Sequence, residues 1–238
     1  MSFLSSIRVT GSDAHVFLQG QLTCDMDMLT RDKPLLAACN SAQGRVQAVL
    51  TVASLSDGIE LRVVTAMAER TVQRLRKYVL RAKVKIDIAT DLSVVEFPGG
   101  NPVDATNPLL SQLRAGIPHV FPETHEAFVA QMLNLDTLGG ISFEKGCYTG
   151  QEIIARTHFR GAVKRRMFRF AANCPPPAPG TRLLAVGDHA GDVVYAAQTD
   201  QGCELLAVVS LAHAESALTF DPETTLTKLS LPYSPTIQ

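Results

Sequence analysis

The sequence lacks several features that would assign it to a specialised class of protein. Its 238 residues include no tryptophan and only 6% aromatic side chains, and 22 basic residues stand against 23 acidic ones. A formal net charge of −1 offers no bulk attraction for nucleic acid, so direct nucleic-acid binding is not expected and any anion site must be local. No segment stays apolar over the roughly 20 residues needed to cross a bilayer, and residues 1–9 lack the apolar stretch of a signal peptide. With a hydrophobic content of 46%, we expect a cytoplasmic protein with a packed core and no membrane partner.

The cysteines and histidines lack the spacing of a disulfide framework or a metal site. The five cysteines are scattered and form no CxxC pair, so we expect free thiols at all of them: Cys24, Cys39, Cys147, Cys174 and Cys203. The six histidines show no ligand spacing either. The sequence therefore predicts that the protein has no stable metal of its own.

Hydrophobic periodicity predicts an α+β region followed by a run of short strands. Apolar residues three and four apart indicate helices at 14–20, 66–81, 109–115, 126–133 and 151–159. Alternating or short apolar runs indicate strands at 35–39, 46–52, 59–64, 84–88, 183–186, 192–197, 205–209 and 226–231. Proline and glycine mark a loop at 97–108 and a break at 174–180. The first three strands are joined by short turns, which favours an antiparallel meander, and the last four are typical of a small β-barrel.

The stretch 139–152 places glycines on both sides of a single cysteine, Cys147. Gly146 and Gly150 permit a tight turn, and the helix predicted from residue 151 should follow it directly. Amides at the start of a helix and the cation of Lys145 would favour the thiolate of Cys147 if they lie close to it, which would make the sulfur nucleophilic or prone to bind metal. The alternative is that Cys147 is a small buried core residue, as free cysteines often are.

The same stretch resembles the signature of a known family. The pattern Lys-Gly-Cys-Tyr-x-Gly-Gln-Glu marks the YgfZ-type family, which belongs to the superfamily of the glycine-cleavage T-protein. It is matched by Lys145-Gly146-Cys147-Tyr148-Thr149-Gly150-Gln151-Glu152. The resemblance extends over nearly the whole chain and is weakest after Cys174. The other matching segments are Asp13-Ala14, 17–21, Thr23 with Asp25, Gln43-Gly44-Arg45, 79–84, 115–118, 133–136 and 160–165.

The resemblance implies a ferredoxin-like α+β folate-binding region with a reduced second lobe and a C-terminal small β-barrel. We therefore expect domains at 1–160 and 161–238, with the reduced lobe around 97–140. The resemblance also implies binding of tetrahydrofolate or another reduced folate, and a role in assembling or repairing iron–sulfur clusters in client enzymes, including support of tRNA thiomethylation. That role is expected to depend on Cys147, supported by the motif residues Lys145, Gly146, Tyr148, Gly150, Gln151 and Glu152.

A basic cluster follows the motif. Folate carries glutamyl carboxylates, and arginine binds carboxylates through paired N–H groups, so we expect Arg156, Arg160 and Lys164 to bind the tail of the ligand. The alternative is a solvated edge, since exposed charge runs are common. The basic residues of the helix predicted at 66–81 are interpreted as an exposed polar face rather than a binding site.

Two other functions compete with the accessory role, which requires no independent turnover. The first is a folate-dependent aminomethyl or one-carbon transferase, in which an acid near the folate would direct the chemistry without any need for Cys147. The second is an interaction scaffold that does not bind folate. Arg114 favours the scaffold, because it stands where the T-protein has a glutamate that recognises the pterin, and arginine cannot accept hydrogen bonds.

Overall fold

The computed structural model describes residues 3–89, 107–221 and 223–235. Residues 97–106 of the predicted loop, and the part of the expected second lobe that they would form, lie outside the described residues. In the described part, no helix combines the length and the apolar character needed to cross a membrane.

Ten strands and four α-helices make up the regular structure of the described residues. The strands are β1 Leu4–Thr10, β2 Leu35–Asn40, β3 Val46–Ser54, β4 Ile59–Val64, β5 Lys85–Ala89, β6 Arg165–Ala172, β7 Arg182–Ala185, β8 Asp188–Thr199, β9 Gly202–Ser210 and β10 Thr227–Leu229. The helices are α1 Ala14–Gln19, α2 Ala68–Arg76, α3 Pro108–Arg114 and α4 Gln151–Arg160. Single turns of 3₁₀ helix lie at Met26–Met28, Thr65–Met67, Pro122–Thr124, Ala130–Leu133 and Leu211–His213.

The first sheet has the strand order β2-β3-β4-β1-β5, with every neighbouring pair antiparallel. The predicted meander of β2, β3 and β4 is confirmed, and β4 has the predicted bounds. Helix α2 contributes a buried stripe that includes Ala68, Val72 and Leu75, spaced as one helical face requires. Arg70, Gln73 and Lys77 lie outside this stripe and are exposed.

The second sheet has the order β10-β6-β9-β8-β7 and is also antiparallel throughout. Because side chains alternate along a strand, its two faces enter different cores. Met167 and Leu206 join the main core of the first region, whereas Phe168 and Leu205 belong to a separate apolar cluster. The main core thus draws on both sides of residue 160, and the division into domains there stays a prediction.

The second sheet is not closed into a barrel by a continuous ladder between its two edge strands, β7 and β10, in the described residues. Isolated bridges join Leu184 of β7 to Thr219, and Thr219 to Thr225, close to the start of β10. In the described residues no ladder pairs β7 with β10. The mixed α/β architecture with two antiparallel sheets is therefore established, while the closed barrel and the reduced second lobe stay predictions.

Several predicted elements were wrong in extent. The helix predicted at 66–81 ends at Arg76, because the next amides bond three residues back (Tyr78 to Leu75, Val79 to Arg76) and tighten the chain into turns. The helix predicted at 126–133 is reduced to the 3₁₀ turn Ala130–Leu133, since Glu126 has a φ of 61°, which a helix cannot contain. Strands β1 and β6 were not predicted.

Candidate functional site

The segment that carries the cysteine motif is held against the chain just after α1. The amide of Ser142 donates to the carbonyl oxygen of Thr23 at 2.8 Å, and the hydroxyl of Thr23 donates to the carbonyl oxygen of Gly140. Farther along, the amide of Thr149 donates to the carbonyl oxygen of Gly20 at 3.2 Å. These bonds attach both ends of the segment 140–149, which we call the motif strap, to residues 20–23.

The turn between β2 and β3 packs on the end of the motif strap. Gly150 has a φ of 82°, and a Cβ placed on it would lie 2.5 Å from the carbonyl oxygen of Ser41. A Cβ on Gly44, whose φ is 70°, would lie 2.8 Å from the Cβ of Ile153 in α4. Only glycine allows both this backbone conformation and this close approach. The turn that contains Gly44 and the end of the motif strap at Gly150, which are far apart in the sequence, thus pack against each other.

Cys147, on the motif strap, is exposed. Cys24, Cys39 and Cys203 are buried, and Cys174 is intermediate. All five are free thiols, as predicted. The alternative in which Cys147 is a buried core residue is therefore wrong. Gly146 beside it is also exposed, and a Cβ added there would have no neighbour within 4 Å. The expectation that Gly146 is needed for backbone conformation is not met, because its φ is not in the left-handed region.

Lys145 binds the chain just after α1. Its side chain is buried, and its ammonium donates to the carbonyl oxygens of Leu22 at 3.0 Å and of Cys24 at 2.6 Å. The ring of Tyr148 lies 5.2 Å from the same nitrogen. Burial lowers the pKa of Lys145, and the negative charge of the nearby Asp25 opposes that shift. Through these contacts Lys145 holds the motif strap to residues 22–24, and its expected effect on Cys147 stays a prediction.

The remaining motif residues surround the start of α4. Tyr148 is buried, its hydroxyl has no partner among the described residues, and burial raises its pKa to about 12. Gly150 is the N-cap and supplies no side chain, while the amide of Gln151 donates to the carbonyl oxygen of Tyr148 at 3.2 Å. Glu152 is exposed in the first turn, where its charge complements the helix dipole. Tyr148 and Gln151 thus order the turn, and Glu152 faces solvent.

A cleft of about 560 Å³ lies along the motif strap. Its lining combines apolar side chains with a few polar ones: Cys24, Asp25, Met28, Lys33, Pro34, Leu35, Leu36, Leu138, Gly139, Ile141, Ser142, Phe143 and Glu144. A hydrogen bond from Gln19 at 2.7 Å lowers the pKa of Asp25 despite partial desolvation, and the amide of Asp27 adds to the effect. Asp25 therefore presents an ionised carboxylate to the cleft.

Aromatic side chains connect the cleft to α4. Phe143 lines the cleft and stacks on His158 with ring centroids 3.8 Å apart, and Phe159 meets both rings edge-on. Phe159 also lines a shallower depression of about 340 Å³ together with Arg156 and Arg160. No site role was predicted for Phe143, although it lies only four positions before Cys147.

The predicted ligand-binding cations are only partly brought together. Arg156 and Arg160 share the depression on α4, whereas Lys164 is exposed beyond the helix and does not line it. The two arginines that follow Lys164 in the sequence are engaged elsewhere. Arg165 pairs with Asp192, and Arg166, only 1% exposed, donates to both carboxylate oxygens of Asp136 at 2.7 and 2.9 Å.

Comparison with known proteins assigns the fold. No family model matches the sequence. The structure aligns with the crystal structure of the glycine cleavage system aminomethyltransferase T from Bartonella henselae, with a TM-score of 0.73 and 14% sequence identity. The alignment covers 97% of this chain and 84% of that one. The fold is similar to that of a glycine-cleavage aminomethyltransferase. At this identity the likeness concerns the fold alone, so membership of the YgfZ-type family stays a prediction.

Arg114, which the resemblance aligned with an acid of the T-protein, forms an ion pair in this structure. Its guanidinium donates to Glu204 of β9 at 2.8 and 3.1 Å, and Arg169 donates to the same carboxylate at 2.7 Å. Burial tends to raise the pKa of Glu204, but the hydrogen bonds from Arg114 and Arg169 outweigh it and hold that pKa below its ordinary value. Arg114 therefore fastens α3 to the second sheet.

A preformed metal site is not apparent in the part of the chain that the structure describes. No group of three or more histidine, cysteine, aspartate or glutamate side chains lies close enough together there to hold an ion. Any metal at Cys147 would thus need ligands from outside the described residues.

Proposed function

We propose that the chain is a folate-binding accessory protein that supports iron–sulfur clusters in client enzymes through Cys147, including an enzyme of tRNA thiomethylation. The observation that carries the proposal is the exposed thiol of Cys147 on the motif strap. Hydrogen bonds fix the strap at both of its ends and at Lys145. They hold in place the segment that exposes the sulfur of Cys147 to solvent.

The cleft beside the strap fits a folate in size and chemistry. Its volume of about 560 Å³ falls within the range of roughly 300–1,000 Å³ that is usual for pockets that hold a small organic ligand. Phe143 and Ile141 supply apolar surface for the rings, and the carboxylate of Asp25 can accept hydrogen bonds from N–H groups of a pterin. Arg156 and Arg160, on the far side of the aromatic cluster, are suited to bind glutamyl carboxylates. A bound tetrahydrofolate would supply a carrier for one-carbon groups.

The surroundings of Cys147 suit contact with a second molecule. The thiol is exposed, and the open space beside Gly146 lets another surface approach the backbone there. A thiol in this position can ligate iron of a client's cluster. It can also take the outer sulfur of a client's persulfide, which leaves as a thiol, or attack a client's disulfide to form a mixed disulfide with release of one client thiol. These three contacts share one requirement, namely a reachable sulfur at position 147.

One experiment separates the accessory role from its competitors. Tetrahydrofolate is titrated into the wild type and Cys147→Ser, and both are tested for rescue of a cluster-dependent tRNA-thiomethylating enzyme under oxidative stress. We expect equal folate affinity for both proteins and rescue by the wild type alone. Rescue by Cys147→Ser at the level of the wild type would refute the role of the thiol.

The same titration tests the two alternatives. Turnover of an aminomethyl-folate substrate by both proteins would favour the one-carbon transferase. If neither protein binds folate, the result would favour the interaction scaffold.

The basic residues of α4 provide a second check on folate. Arg156→Gln and Arg160→Gln should each weaken binding of a polyglutamylated folate more than binding of the monoglutamate, and the difference should shrink at high salt. The control is Arg8→Gln, because Arg8 is exposed in β1 and lines neither the cleft nor the depression. Equal losses in all three variants would contradict a specific role for α4.

A further inference from the structure

A small cavity lined by cations lies between α2 and the β2–β3 hairpin. Its volume is about 170 Å³, and its lining residues are Cys39, Gln47, Ala48, Arg70, Thr71, Gln73, Arg74, Lys77 and His125. The lining contains three permanently cationic side chains and no carboxylate. A concave site with one sign of charge concentrates the field and attracts ions of the opposite sign. The helix carrying these residues was interpreted from sequence as an exposed polar face, and this pocket lies at that face.

Arg74 is the buried element of this pocket, with 9% of its surface exposed. Its guanidinium donates to Gln47 Oε1 at 3.2 Å, to Gln21 Oε1 at 2.5 Å and to the carbonyl oxygen of Asn40 at 2.9 Å. These acceptors are all neutral. They use three of the five N–H groups of an arginine side chain, so two have no partner among the described residues.

Arg74 thus has only neutral partners among the described residues, namely these three acceptors and the ring of Tyr78, whose centroid lies 4.6 Å from the Cζ atom of Arg74. In the described part of the chain no carboxylate forms an ion pair with it. A buried charge without a counter-charge is costly, and cations held in this way are normally paired. An anion from solution would provide the missing pair.

Arg70 and Lys77 extend the cationic surface to the opening of the pocket. They lie one helical turn before and after Arg74, both are exposed, and neither forms an ion pair within the described residues. Two carboxylates near the pocket accept hydrogen bonds from lining glutamines: Glu69 from Gln73 at 3.0 Å and Glu126 from Gln47 at 2.6 Å.

We propose that this pocket binds a small oxyanion, either phosphate or the carboxylate group of a larger molecule, held by Arg74 from within and by Arg70 and Lys77 from the opening. The volume of about 170 Å³ is below the roughly 300–1,000 Å³ typical of pockets for whole organic ligands, so it suits an anionic group rather than a folate. The site lies apart from the cleft at the motif strap, because the two share no lining residue. The proposal does not depend on the role of Cys147.

The test is a titration of the full chain with inorganic phosphate and, separately, with a triglutamate peptide at constant ionic strength, followed by amide chemical shifts in NMR. We expect saturable shifts at residues 70–77 and 125 for at least one of the two anions. Since a hydrogen bond to a charged group contributes about 1.5–3 kcal/mol, Arg70→Gln and Lys77→Gln should each weaken the affinity by about tenfold or more.

Arg81→Gln is the matched control, because Arg81 is an exposed cation just beyond α2 that does not line the pocket. Arg74 also fastens three segments of the fold, so the exposed pair Arg70 and Lys77 carries the test. Saturation by phosphate alone or by the peptide alone would support the site and identify the source of the oxyanion. Shifts that fail to saturate with both anions, or an equal loss of affinity in Arg81→Gln, would overturn the proposal.

Discussion

Of the two glycines that flank Cys147, only Gly150 should lose stability on substitution by alanine. Gly150 has a φ of 82°, and a Cβ there would lie 2.5 Å from the carbonyl oxygen of Ser41 and 3.0 Å from the Cα of Gly44. The turn cannot easily give way, because the same oxygen of Ser41 accepts the amide of Gly44 at 3.0 Å. Gly146 has neither a left-handed φ nor any neighbour within 4 Å of an added Cβ.

The magnitude for Gly150→Ala follows from these contacts. The left-handed conformation costs a residue with a side chain about 1–3 kcal/mol. The steric overlap destabilises the folded state by about 1–3 kcal/mol more. The lower entropy of the unfolded chain with alanine stabilises the folded state by about 0.4–1 kcal/mol. The free energy of unfolding should therefore fall by about 3 kcal/mol, whereas Gly146→Ala should change it by no more than about 0.5 kcal/mol.

Urea denaturation followed by circular dichroism measures the difference. With a slope of about 2–3 kcal/mol per molar urea, the midpoint of Gly150→Ala should lie about 1 M below that of the wild type and of Gly146→Ala. Client rescue should fall in Gly146→Ala in spite of its unchanged stability, because the methyl group occupies the space through which a partner would approach. An unchanged midpoint in Gly150→Ala, or equal losses in both variants, would refute this reasoning.

Three further predictions concern reactivity, the buried ion pair and acid stability. Cys147 should be alkylated by iodoacetamide well before buried Cys24 in peptide mapping by mass spectrometry; equal rates would contradict its exposure. Asp136→Ala should lower the free energy of unfolding by about 3–5 kcal/mol, measured in urea, because it leaves Arg166 buried without a counter-charge. Since the pKa of Glu204 is lowered in the folded state, its ionised form stabilises the protein above the unfolded pKa of about 4.3 and this stabilisation is lost as the pH falls through the folded pKa. The stability difference between the wild type and Glu204→Gln should accordingly shrink below about pH 4, and a difference that grows there would contradict the assignment.

Local patterns predicted much of the regular structure. Strand β4 was predicted with its bounds, because the Asp57-Gly58 turn precedes it and its apolar run is short. Helix α4 begins at Gln151, as the glycine before it indicated. Strand β6 was missed because its first residues, Arg165 and Arg166, resemble an exposed segment. The burial of Arg166 depends on Asp136, a residue 30 positions away that no local pattern connects to it.

Patterns of neighbouring residues single out Cys147, the glycines around it and the elements nearby, because each of these is a local property of the chain. What the charged side chains contact depends instead on the folded structure. Lys145 was expected to act on Cys147, but its ammonium binds carbonyl oxygens more than 120 positions away in the chain. Likewise, Arg74 forms part of an anion pocket only because Gln21, Asn40 and Gln47 come together around it. Electrostatic roles depend on distance and burial, and those are set by contacts between residues that the sequence places far apart.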